Sequence, residues 1–144
     1  MKRIISILLL VSLGTAMCLC LVGCGELTLE DAIGVWKRKE STFSEKWNCL
    51  TDLYIKLDNK GGAFKVTVDS REGKLLDYFI SSWTLKYDEK EERNEVAIRA
   101  GNDIYAGNYY YHKDGSCLVN GDHEYEKLSE LQSDIEAYFK YIEG

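Results

Sequence analysis

The chain contains no proline and only two histidines, His112 and His123. No low-complexity segment and no internal repeat interrupts it, so composition marks neither a linker nor a repeat array. The short motifs of common chemistries are also missing. There is no Gly-x-Ser-x-Gly elbow, no His-Glu-x-x-His zinc helix and no Gly-rich phosphate loop. A carboxylate pair can be drawn anywhere in so acidic a chain, and therefore argues for no acid–base chemistry. The expectation is a protein that is not an enzyme and holds no cofactor. With Asp114, Asp122 and Glu124, the two histidines would make a cation site if neighbouring hairpin ends converged. Their spacing matches no metal motif, and solvated turn residues with no metal are the expectation. Basic residues are the other shortage, with 18 Lys and Arg against 24 Asp and Glu, a net charge of −6. Such a chain is poorly matched to nucleic acid, anionic lipid head groups or anionic wall polymers.

One long apolar run stands out. Lys2 and Arg3 precede "IISILLLVSLGTAMCLCLV", which carries no charge, and Leu21-Val22-Gly23-Cys24 closes it. The order of positive start and apolar run is that of a secretory signal. Its end resembles the lipobox of bacterial lipoproteins: a branched aliphatic residue, a permissive position, a small residue and a cysteine. The resemblance implies a signal peptide at 1–23, transfer of a diacylglycerol to the Cys24 sulfur, cleavage before Cys24 and acylation of the new N-terminus, with chains such as palmitate. Two acyl chains anchor stably where one binds marginally. The competing reading is an uncleaved membrane helix, since the run approaches the ~20 residues needed to span a bilayer. Cleavage would remove two basic and no acidic residues and take the net charge from −6 to −8. Residues 24–27 then form a short tether of roughly 10–14 Å. The remaining length, 28–144, suits one domain. The expected location is the extracytoplasmic face of the cell membrane or outer membrane.

Within that domain "TLEDAIG" reads as a short helix, with Thr28 capping the first turn, Asp31 in a capping-box position and Gly34 ending it. The pattern then shifts to period two. Leu53, Ile55 and Leu57 alternate with polar neighbours; so do Phe64, Val66 and Val68, and Val96, Ile98 and Ala100. Apolar-in, polar-out alternation marks antiparallel strands with one wet face. Hairpin turns are read at 58–62, 71–74, 101–103, 113–115 and 121–123. Short strands at this spacing predict an up-and-down β-barrel, closed by a C-terminal helix over 128–143 with Leu128, Leu131, Ile135, Tyr138, Phe139 and Ile142 on one face. "LLDYFISSWTLKYD" slips phase at Ser81-Ser82, through either a bulge in one strand or a turn between two. The count is therefore eight or nine strands.

A short helix, then Gly34-Val35-Trp36, a meander and a final helix together resemble the lipocalin or calycin plan. Gly34 and Trp36 match its Gly-x-Trp, whose tryptophan plugs the closed end of the barrel. Trp83-Thr84-Leu85 and Tyr125-Glu126-Lys127 are similar to strands of small bacterial lipocalin-like lipoproteins. The likeness spans about 28–140. It implies structural roles for Gly34, Trp36 and Trp83, and places the mouth at the loop after the first strand.

That loop, 40–51, carries Phe43 and Trp47. They read either as a lid or contact surface for an apolar ligand or partner, or as a plug burying both rings; most aromatic residues end in a core, which favours the plug. In "IYAGNYYYH", Tyr105, Tyr109 and Tyr111 fall on one face, as a stacking ladder for ligand or partner or as cross-strand packing. A barrel of short strands can be filled rather than hollow. Cys49 and Cys117 are the only cysteines after Cys24. A disulfide between them would be worth roughly 4 kcal/mol and needs nine strands to bring both to one end; two separate thiols are the alternative. The run 88–95, "DEKEERNE", reads as a solvated loop. Two functions fit the whole: a membrane-anchored binding module for a small apolar or amphipathic ligand, or an interaction protein, such as an inhibitor or accessory subunit of a membrane-associated complex, with a packed barrel.

Overall fold

The computed structural model describes residues 27–100, 104–111 and 117–144. The signal segment, Cys24, His112, Asp114 and the turns read at 101–103 and 113–115 lie outside the described residues. Thr28 caps a one-turn helix, α1 (Leu29–Ala32). Its hydroxyl accepts from the Asp31 N–H while the Asp31 carboxylate accepts from the Thr28 N–H, a complete capping box. Ile33, in extended conformation, ends the helix. Gly34 already belongs to β1 (Gly34–Arg38), and its φ of +137° and a Lys127 Cε only 2.8 Å from where a Cβ would sit explain the glycine there.

The remaining strands are β2 (Thr42–Ser44), β3 (Cys49–Leu57), β4 (Gly62–Asp69), β5 (Leu75–Asp88), β6 (Arg93–Ala100), β7 (Ile104–Tyr111), β8 (Cys117–Asn120) and β9 (His123–Lys127). Every pairing is antiparallel. The strands run as a meander, and β1 closes the barrel by pairing with both β9 and β3. The barrel has eight strands, with β2 added on β3 beyond the end of β1. The stretch through Ser81-Ser82 is one unbroken strand. Its apolar residues change sides without any turn: Trp83 points into the barrel, while Tyr78 and Ile80 stand exposed outside. The loop read over 40–51 is a hairpin, with Thr42 opposite Thr51 and Phe43 opposite Leu50. The run 88–95 is half strand, and its Glu95 is buried beside Arg93.

Two apolar clusters hold this together. The first fills the closed end of the barrel with Leu27, Trp36, Ile55, Leu57, Trp83, Ile98 and their neighbours. The Trp36 indole donates to the Ala32 carbonyl at 2.9 Å, and the Trp83 indole to the Asp58 carbonyl at 3.0 Å, so both rings are buried without an orphaned N–H. The second lies outside the barrel, where α2 (Ser133–Glu143) lays Ile135, Phe139 and Ile142 on Val35, Tyr54, Val66 and Val68. This reverses the facing expected for β4. Val66 and Val68 are covered from outside by the helix, while Lys65 and Thr67 share the inner side with Ile55 and Leu53. The helix also starts later than the sequence suggests, because the Leu128 N–H donates to the Val35 carbonyl and extends the strand ladder.

Candidate functional site

The barrel interior changes character along its axis. At the α1 end, Trp36 meets Tyr111 edge-on at 6.3 Å and lies under the Lys127 ammonium at 5.9 Å. Lys127 also donates to the Asp31 carbonyl at 2.7 Å, fastening the helix across that end. Toward the other end the inner wall becomes polar and half-exposed. Leu53, Lys65, Thr67 and Phe79 sit at inward register positions, yet each keeps part of its surface open.

Five side chains form a polar layer there. Arg38 is buried, with 9% of its surface exposed. Its Nε donates to the Glu40 carbonyl at 2.9 Å, and its Nη2 to the Thr51 carbonyl at 2.7 Å and hydroxyl at 3.3 Å. Thr51 in turn donates to the Thr42 carbonyl, tying the hairpin base to β1. Tyr109 and Tyr125 pack edge-on at 5.3 Å with their hydroxyls facing. Burial pushes the Tyr109 phenol up to about 12, and burial also raises that of Tyr125. Lys65 reaches across the lumen from β4, its ammonium 5.6 Å from the centre of the Tyr109 ring. Burial alone pulls this ammonium below the usual lysine range.

The rim is formed by the β2–β3 hairpin, the turn after β4 and the turn before β9. Trp47 at the hairpin tip is 37% exposed and Phe43 on its outer side 55%, so neither ring is the buried plug. Lys46 lies 4.4 Å over the Trp47 ring and 3.6 Å from the Asp77 carboxylate on β5, drawing the tip toward the far wall. Asn48, at φ +51°, makes that turn. A cleft of about 260 Å3 opens where the end of β1 meets the β8–β9 turn, lined by Arg38, Lys39, Glu40, Asp122, His123 and Glu124, with Lys39 and Glu124 paired at 2.8 Å.

The tyrosine face of β7 is not an outer ladder. Tyr109 is a core residue and Tyr111 packs on Trp36, both inside the barrel. A register shift between Ile98 and Arg99 pairs Tyr105 with Arg99, out of step with Tyr109. Cys49 and Cys117 are separate thiols, not a disulfide. Eight-strand parity puts Cys49 at the rim, where burial and the facing Asp69 push its thiol up, and Cys117 nearer the closed end, paired with Glu126. His123 joins the rim cleft, and no cluster able to hold a metal occurs among the described residues. Arg38, Thr51, Lys65 and Tyr125 are the site residues that reading for motifs missed. The signal for Lys65 was indirect: a C-terminal helix with an apolar face needs an apolar strip outside the barrel, and β4 alternates in the right phase to supply it. No helix among the described residues is long and apolar enough to cross a membrane. Searches of protein-family models, curated proteins and solved structures each found no match to this chain.

Proposed function

We propose that this chain is a lipid-anchored, extracytoplasmic binding module that takes a small amphipathic ligand through the open end of its barrel, in a role without catalysis. The supporting observation is the half-exposed inner wall of Leu53, Lys65, Thr67 and Phe79 above a filled floor. Inward residues that keep accessible surface leave room that a packed barrel lacks. Pockets of this kind are apolar with a few placed polar groups, which is the mixture at this mouth.

The alternative, a protein-binding role with a packed barrel, has one observation in its favour. Phe43 and Leu50 pair on the outer side of the hairpin and both are exposed. Native mass spectrometry of residues 25–144, gently purified, separates the two. An adduct that leaves on mild activation supports the binding module, and a bare protein mass across several hosts counts for the packed barrel. For the anchor, Cys24→Ser should release the protein from membranes and abolish palmitate labelling. Retention of both in that variant overturns the lipoprotein reading.

A further inference from the structure

Among the described residues the lumen holds two cations, Lys65 and Arg38, and no carboxylate partner for either. Lys65 stands on the inner side of β4 between Ile55 of β3 and Phe79 of β5. Its described neighbour is the Tyr109 ring on β7, a strand not adjacent to β4. Arg38 is satisfied by two backbone carbonyls and a hydroxyl, all neutral, so its hydrogen bonds are met while its charge is not. A buried cation is normally paired. The shortage is not one of supply, because the chain carries 24 acidic residues. They pair elsewhere: Asp77 with Lys46, Glu124 with Lys39, Glu143 with Lys56. The inner wall thus keeps two unanswered positive charges inside a negative molecule, Lys65 against the Tyr109 ring and Arg38 near the Tyr109 and Tyr125 hydroxyls.

We propose that Lys65, with the Tyr109 and Tyr125 hydroxyls and the field of Arg38, is the subsite that receives the acidic head group of an amphiphile. This rests on the binding-module reading and names the ligand class: a single anionic group on an apolar body. Because the floor below is filled by Trp36, Leu57 and Trp83, the head group is the deep end. The apolar body then lies along Leu53 and Phe79 toward Trp47 at the rim. A neutral or cationic amphiphile of the same shape gains nothing from Lys65 and is discriminated against.

The test uses two probes with the same aromatic body, 1-anilinonaphthalene-8-sulfonate and its uncharged analogue N-phenyl-1-naphthylamine. Each is titrated by fluorescence into residues 25–144, which contain every described core residue, as wild type and as Lys65→Met and Lys65→Arg. Thermal melts of each variant verify the fold; Lys65→Met removes a partly buried charge and should melt no lower than wild type. The expected result is at least a tenfold loss of sulfonate affinity in Lys65→Met, partial recovery in Lys65→Arg, and less than a twofold change for the neutral probe. Equal sulfonate affinity in wild type and Lys65→Met overturns the subsite. So does a wild type that binds the neutral probe and not the sulfonate, and that outcome leaves the binding module standing. Binding of neither probe by the wild type overturns both.

Discussion

The two ends of the barrel are built from the same strands and solve opposite problems. At the α1 end, indole N–H groups are spent on backbone carbonyls, Lys127 is fastened to Asp31, and rings interlock edge to edge. Every polar atom named there has a fixed neutral partner or lies at the surface. Above that floor, Lys65 and Arg38 carry charge that no carboxylate among the described residues answers, and at the rim the hairpin tip is held by a lysine that both covers Trp47 and reaches Asp77. A wall that is satisfied on its own can be rigid without a ligand. A wall with unanswered charge carries a standing cost that something binding there can relieve. On the proposed reading, function belongs to the open part of the barrel and stability to the floor.

Substitutions can break that division. The largest effect belongs to the floor: Trp36→Ala should cost about 3–5 kcal/mol of stability in urea unfolding. A loss under 1 kcal/mol would mean that the closed end is not the core. Next, Lys65→Met should raise stability at pH 7 by about 1 kcal/mol, since a poorly compensated charge leaves a partly apolar wall. The pH profile sharpens this. The unfolded lysine keeps its proton up to its ordinary pKa of 10.5, whereas the folded one releases it earlier. Wild-type stability should therefore rise as pH climbs through the lowered pKa of Lys65 toward 10.5. Tyr109 and Tyr125 act in the opposite sense. Unfolded tyrosines ionise near 10.0 while these two stay protonated, Tyr109 to about 12, so stability falls above pH 10. Urea melts from pH 7 to 11 should show the rise in wild type, its loss in Lys65→Met, and the fall in both.

Smaller effects belong to the rim. Trp47→Ala should cost less than about 1 kcal/mol of stability, because the ring is partly open, and should weaken binding of the neutral naphthylamine several-fold. Full stability together with full affinity would remove Trp47 from the site. The smallest change is expected from Phe43→Ser, within about 0.5 kcal/mol by thermal unfolding and with no effect on either probe. If it instead abolishes capture of a membrane-associated complex while both probes still bind, the outer hairpin serves a partner beside the lumen.

Much of the fold was legible in the sequence because barrel floors obey local rules. Leu53, Ile55 and Leu57, Val96 and Ile98, and the two buried tryptophans announce themselves by period and type, and "TLED" announces its capping box. The site was less legible for two physical reasons. Alternation says that two faces differ, and it does not say which is inside when a helix covers the outer one. Val66 and Val68 therefore read as lumen, and Lys65 as solvent. The tyrosines of β7 were placed on one face, but a bulge drops Tyr105 out of step, and the face itself turned inward. Phe43 and Trp47 read as a buried plug, and both rings instead keep exposed surface. Their exposure depends on a three-residue strand, β2, whose polar composition hides it.

One feature of the closed end bears on how the molecule stands in its surroundings. Leu27 is buried beneath the barrel floor, and its carbonyl accepts from Asn94 Nδ2 at 3.1 Å. Cys24 lies three residues earlier, so an acyl anchor on it stays within about 11 Å of that floor. Lipidated there, the barrel would stand on its base like a goblet, its rim pointing away from the bilayer. Amphiphiles dissolved in the supporting membrane would have no direct path inside. Loading and unloading would pass through the aqueous envelope, or through a second protein meeting the rim head-on. Exchange would then be governed by supply from above and would be largely indifferent to the composition of the lipid below.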